Sequence, residues 1–83
     1  MIIKNMVDAK NAWNWIQGEM DMGQYRIPLT KSTRLVFMDS GKVFMGNDMY
    51  VYMDEMDQTP EKVLWKYRKA WNDLYRNWIS YGR

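Results

Sequence analysis

The chemistry that this sequence offers lies mainly in basic and aromatic side chains near its C-terminus. Segment 60–83 carries six basic and two acidic side chains, a net charge of +4. On a helix, where each residue turns by about 100°, four of the basic side chains and one tryptophan fall on one face. Lysine and arginine neutralise phosphates or carboxylates, and a tryptophan stacks on a base or anchors a protein interface. This candidate binding face contains Lys62, Trp65, Lys66, Lys69 and Arg76.

Two further basic residues, Arg34 and Lys42, lie in the predicted β-region and could extend the same binding face. The alternative interpretation is an ordinary solvated surface, which is the commoner role of a charged helix face. In that case Trp65 packs beneath a loop or against the acidic segment that precedes the helix.

A second candidate comes from two tryptophans near the N-terminus. Trp13 and Trp15 are two positions apart, so on a helix they diverge by about 200° and cannot face the same sheet. Trp13 belongs with the apolar residues Ala12 and Ile16, so we expect Trp15 to point away from them. Either the helix lies in a groove or Trp15 marks a partner surface or a homodimer seam. Trp15 therefore joins the candidate binding residues.

Most catalytic chemistry is excluded by composition. The chain has no cysteine and no histidine, so it has no thiolate nucleophile, no imidazole base, no cysteine-based zinc site and no imidazole metal ligand. Its serines lack a nucleophile-elbow context, and its five glycines form no phosphate-binding loop. We expect a protein that is not an enzyme and that carries no cofactor.

An acidic stretch precedes the basic segment. Residues 43–58 contain four acidic side chains and no basic one, a net charge of −4. The stretch could lie against the basic helix, pair with a second protomer, or mimic phosphates toward a basic partner. Hard cations take oxygen ligands, but the spacing of Asp54, Glu55 and Asp57 fits no known calcium or magnesium loop, and we expect no metal site.

Two helices are expected to flank a β-region. The first is predicted to begin at Asp8, a good N-cap, and to run to about Met20 or Met22. The last has the clearest start, with Thr59 as the cap and Pro60 at the first helical position. It is predicted to continue without a break to Ser80 or Tyr81.

Between the helices, residues 24–31 are predicted to be an extended connector, because Pro28 forbids a helix interior. Strands are expected at 33–38, 43–45 and 49–53, joined by short turns at Gly41 and Gly46. Short turns between successive strands imply antiparallel pairing. We therefore expect a single α+β domain over residues 1–83, in the order α-β-β-β-α, with a three-stranded antiparallel meander and two helices packed on one face.

The same order occurs in double-stranded-RNA-binding domains. Their basic cluster lies at the start of the last helix, where this chain reads Thr59-Pro60-Glu61-Lys62-Val63-Leu64. The similarity is topological only, and topology does not determine function. No specific family is identified.

These features predict a small regulatory or inhibitory protein that docks on a protein or nucleoprotein target. Only by analogy, such chains resemble the accessory proteins with which phages block host enzymes or defence systems. The alternative is an RNA-binding module that uses the basic and aromatic face. A further alternative is a structural homodimer, with Trp15 and the methionines at the seam.

The expected location is the cytoplasm. No apolar run approaches the roughly 20 residues that a membrane-spanning helix needs. The N-terminal residues 1–5 are followed by polar sequence and do not have the pattern of a signal peptide.

Overall fold

A computed structural model of the protein describes residues 2–49 and 54–81, with side chains described as far as Asn77. The described part has an α+β fold, so the predicted class is confirmed. Its elements, in chain order, are α1 (Met6–Gly18), β1 (Gln24–Pro28), β2 (Thr33–Met38), β3 (Val43–Asn47), β4 (Asp54–Glu55), α2 (Pro60–Lys66) and α3 (Arg68–Tyr81).

The strands form an antiparallel sheet in the order β1-β2-β3-β4. The predicted meander is confirmed, and Gly41 has the positive φ, +92°, that its turn requires. The strand expected at 49–53 lies largely outside the described residues. Met49, its one described residue, lies in a bend next to β3 and is 81% exposed.

The segment expected to be a connector contains β1, so that prediction was wrong. Tyr25 and Ile27 pair with Phe37 and Leu35 of β2. Pro28 does not prevent this, because β1 is an edge strand and its last residue needs no further ladder hydrogen bond.

The first helix begins and ends earlier than predicted. Its N-cap is Asn5, whose side-chain oxygen accepts a hydrogen bond from the Asp8 backbone N–H at 2.9 Å. The Asp8 carboxylate in turn accepts from the N–H of Lys4, the residue before the cap, at 2.9 Å, so the acid at the third helical position also holds the chain that enters the helix. The helix ends at Gly18 and not at Met20 or Met22, and the earlier start places Met6 in the first turn.

The last helical segment starts as predicted but is interrupted. Thr59 caps α2, and its side chain accepts from the Lys62 N–H at 3.4 Å. Helical geometry then stops at Tyr67, which has φ −107° and ψ 28°, and resumes at Arg68. The expectation of one continuous helix was wrong, so the predicted basic face is divided between two helices.

The helices cover one face of the sheet and enclose the main hydrophobic core. Alternation along β2 places Leu35 and Phe37 on this face, where Trp13 of α1 lies 6.0 Å from Phe37 between ring centroids. The buried residues of this core are Ile3, Ala9, Ala12, Ile16, Ile27, Leu35, Phe37, Val43, Val63, Leu64 and Trp71.

A buried amide ties the N-terminal segment to α3. The Ile3 N–H donates to Asn72 Oδ1 at 2.8 Å, and Asn72 Nδ2 donates to the Ile3 carbonyl at 3.2 Å. Both residues are buried, so this pair satisfies two backbone groups that water cannot reach. The contact holds the chain in place just before α1 begins.

Candidate binding surfaces

Three of the predicted binding residues meet in one groove, which we call the basic groove. Lys62, Trp65 and Lys66 of α2 lie beside Met6, from the first turn of α1. The groove has a volume of about 600 Å³. Its lining residues are Met6, Gln58, Lys62, Trp65, Lys66 and Arg68.

Trp65 is partly buried and packs against the hydrophobic core. The Arg68 guanidinium lies over its indole ring, 4.0 Å from the ring centroid, and Arg68 Nη1 donates to the Trp65 carbonyl at 2.9 Å. This is a cation–π contact with a fixed donor, so one face of the indole is already covered. The arginine was not among the predicted site residues, although a spacing of three residues already makes Trp65 and Arg68 neighbours on a helix surface.

The positive charges of the basic groove have no acidic partner among the described residues. The ion pairs among the described residues are Arg34–Asp48 at 3.2 Å and Arg76–Asp73 at 3.5 Å, and neither lies in the basic groove. No described carboxylate therefore neutralises Lys62, Lys66 or Arg68. Three cations around an apolar floor form a surface that attracts an anionic partner.

The other two predicted residues of the helical face lie on α3. Lys69 and Arg76 are exposed, but neither lines the basic groove. Arg76 pairs with Asp73 one helical turn away. The break at Tyr67 explains this division, because it removes the common helical register that the prediction assumed.

Lys42 lies in a neighbouring cleft together with Lys62, and this cleft also contains acidic residues. Glu55 and Asp57 line it together with the two lysines. The acidic segment thus lies beside the basic residues within one chain, as one of the three sequence-based alternatives proposed. No ion pair joins these groups within the described residues, so they contribute a mixed electrostatic field at one end of the basic groove.

Arg34 lies elsewhere. It alternates with the core residue Leu35 along β2 and therefore projects from the opposite face of the sheet. Its guanidinium is held by Asp48 and by the Asn47 carbonyl, to which Nη2 donates at 2.7 Å. The structure does not bring Arg34 to the basic groove.

Trp15 is partly buried, and it does not point away from the fold as expected. Its ring makes edge-on contacts with Tyr25 of β1 and Trp71 of α3, each with 5.9 Å between centroids. Of the two interpretations that the sequence left open, these contacts match the first, in which the helix lies in a groove, because the side chain of Trp71 packs beside α1.

These rings line a second cavity of about 280 Å³, which we call the aromatic groove. Sequence reasoning identified only Trp15 in it, because β1 was taken as a connector and α3 as the continuation of one helix. Its lining residues are Trp15, Tyr25, Arg26, Pro28, Trp71, Leu74 and Tyr75.

One titratable group in this groove is perturbed. Burial raises the pKa of the Tyr25 hydroxyl above its ordinary value of 10.0, and the negative charge of Glu19 raises it further. The phenol is therefore protonated at neutral pH and keeps an O–H donor.

Within residues 2–49 and 54–81, no three side chains of His, Cys, Asp or Glu are grouped so as to hold a metal ion. None of the helices in that part of the chain is long and apolar enough to cross a membrane.

No protein-family model matches this chain, and no curated protein or solved structure is significantly similar to it. The function of the protein is therefore inferred from its two grooves and from the chemistry of their lining residues.

Proposed function

We propose that this protein is a small, non-enzymatic regulatory or inhibitory protein that docks on an acidic surface of a protein target in the cytoplasm. The observation that carries the proposal is the basic groove. It places Lys62, Lys66 and Arg68, none of them neutralised by a described carboxylate, around an apolar floor formed by Met6 and Trp65.

The apolar floor favours a protein partner over RNA. Met6 is 38% exposed, and it offers a flexible thioether surface of the kind found at adaptable interfaces. An apolar side chain of an acidic segment can lie on Met6 and Trp65 while flanking carboxylates approach the cations. A base would have to stack on an indole of which one face is already covered by Arg68.

The first experiment uses a fluorescein-labelled peptide of alternating glutamate and leucine as the probe and measures its anisotropy. We expect Lys66→Glu to weaken binding by about tenfold, because charge reversal at an interface replaces attraction with repulsion. The matched control is Lys69→Glu, which makes the same change three residues away but outside the groove. Equal losses for both variants would contradict the proposal, since only a diffuse basic surface would then be involved.

The aromatic part of the groove is tested by Trp65→Ala in the same assay. The variant should lose binding while its circular dichroism spectrum stays that of the native chain. Retained binding by both Trp65→Ala and Lys66→Glu would exclude this groove as the docking site.

RNA is the main alternative partner, and the salt dependence of binding distinguishes it from an acidic protein partner. A uridine dodecamer tested in parallel should bind weakly, and its affinity should fall log-linearly with salt if phosphates make the contacts. Tighter binding of the dodecamer than of the peptide, with such a slope, would replace the present proposal with an RNA-binding function. A pull-down with mass spectrometry, with and without RNase, then identifies the natural target.

A further inference from the structure

The aromatic groove is separate from the basic groove, since the two share no lining residue. It lies where α1, β1 and α3 meet, with Trp15, Tyr25 and Trp71 contributed by the three elements in that order. Its chemistry is therefore independent of the function proposed above.

The rings of the aromatic groove hold one another in place. Trp15 meets Tyr25 at an interplanar angle of 86° and Trp71 at 74°. Trp71 is also part of the buried core and is only 3% exposed. Side chains that are already fixed lose little conformational entropy when a ligand arrives.

The size of the groove limits its occupant. Its volume of about 280 Å³ lies just below the range of about 300–1,000 Å³ typical of pockets for drug-sized ligands. One or two fused rings fit such a space, and aromatic ligands are favoured by offset or edge-on contacts with tryptophan and tyrosine.

The charge of the occupant follows from Arg26, the one charged residue among the described lining residues. Its Nε donates to Gln24 Oε1 at 2.9 Å, which holds the guanidinium in position. No described carboxylate forms an ion pair with it. Arg26 also lines the adjoining cleft, where Glu19 and Asp21 are the acidic residues.

We propose that the aromatic groove binds a small planar aromatic acid, with its ring system against the tryptophan and tyrosine rings and its carboxylate on Arg26. An arginine guanidinium matches a carboxylate with two parallel N–H donors, which gives both affinity and orientation.

The test uses three probes with the same ring system: 2-naphthoate, neutral 2-naphthamide and cationic 2-naphthylmethylammonium. Binding is followed by proton–nitrogen NMR through the indole N–H resonances. We expect 2-naphthoate to bind with a dissociation constant of about 1 mM or tighter, and the amide about tenfold more weakly. The resonances of Trp15 and Trp71 should shift, whereas that of Trp65, in the basic groove, should not.

Arg26→Glu sharpens the test, because Arg26 is exposed and its replacement should leave the fold intact. The variant should reverse the order of affinity, so that 2-naphthylmethylammonium binds better than 2-naphthoate. Lys31→Glu, an equal charge change in the exposed loop between β1 and β2, should keep the native order.

Three results would overturn the proposal. The first is equal affinity for all three probes, and the second is an unchanged order in Arg26→Glu. The third is a dimer in sedimentation whose formation alone shifts the Trp15 and Trp71 resonances, because the occupant would then be a second copy of the chain. Failure of these tests leaves the basic groove and its acidic partner untouched, since that assay reports on Lys66 and Trp65.

Discussion

The aromatic groove and the basic groove are each built around a tryptophan, but the two tryptophans have different neighbours. Trp15 meets two aromatic rings, and one of them, Trp71, belongs to the buried core. Trp65 meets a guanidinium, and its groove is lined by lysines and a methionine. The same residue type thus helps to hold helices together in one place and offers a charged contact surface in the other.

The difference teaches that partial burial alone does not determine what a tryptophan side chain contributes. Both side chains are partly buried and both pack against the hydrophobic core. The two side chains differ in the groups around the ring. Aromatic neighbours stabilise the packing of the fold, whereas an exposed cation leaves a positive charge at the surface.

The largest expected effect is on stability at Trp15. Trp15→Ala should lower the free energy of unfolding by about 3 kcal/mol, because it removes a large side chain together with two edge-on ring contacts. Trp65→Ala should lower it by only about 1 kcal/mol, since the ring contact that this variant loses is with one exposed cation and not with two aromatic rings. Urea denaturation of both variants checks the difference, and a larger loss at Trp65 would reverse the comparison.

Asn72, which lies next to Trp71 on α3, should rank second. Asn72→Ala leaves the buried N–H and carbonyl of Ile3 without their partner, and we expect a loss of about 2 kcal/mol. Asn77→Ala makes the same change at an exposed position of α3 and should cost less than about 0.5 kcal/mol. Thermal unfolding of the two variants should therefore give clearly different midpoints.

A smaller effect is expected at Arg68. Arg68→Ala removes the cation over the Trp65 ring and should lower the free energy of unfolding by about 0.5 kcal/mol, as is usual for exposed cation–π contacts. Trp65 fluorescence should change in this variant and stay the same in Lys69→Ala. An unaltered spectrum in Arg68→Ala would mean that the stack does not form in solution.

The smallest effect concerns the pKa of Tyr25 and appears only in alkaline solution. Because the folded-state pKa is raised above 10.0, the folded chain holds this proton when the unfolded chain has begun to lose it. The contribution to stability is fully present below pH 10 and is lost as pH rises through the folded pKa. Tyr25→Phe should therefore flatten the fall in stability above pH 10, as measured by denaturation at a series of pH values, and an identical slope would contradict this.

Much of the local structure was predictable because its causes are local. The run of β-branched and apolar residues at 33–38 defines β2, and Gly41 provides the turn that follows. Thr59 and Pro60 start α2 where capping and a preset φ favour it. Each of these signals acts within a few residues, so no knowledge of distant contacts is needed.

The failures lie where the sequence carries no local signal. The strand β1 depends on a partner strand that its own sequence does not reveal, since Pro28 reads as a loop signal until the edge position is known. The break at Tyr67 occurs within an uninterrupted helical pattern, and no glycine or proline marks it. Each error concerns a segment that carries a residue missing from the predicted sites, because Arg26 lies on β1 and Arg68 lies just after the break.

Composition and spacing were sufficient to establish the α+β class, to exclude imidazole and thiolate chemistry, and to select Lys62, Trp65 and Lys66 together. These properties follow from which side chains are present and from the helical turn that joins close neighbours. The grouping of Trp15 with Tyr25 and Trp71, and the placement of Arg68 over Trp65, required the folded chain. Rings that are 10 and 56 residues from Trp15 in the sequence come into contact only when α1, β1 and α3 pack around one core.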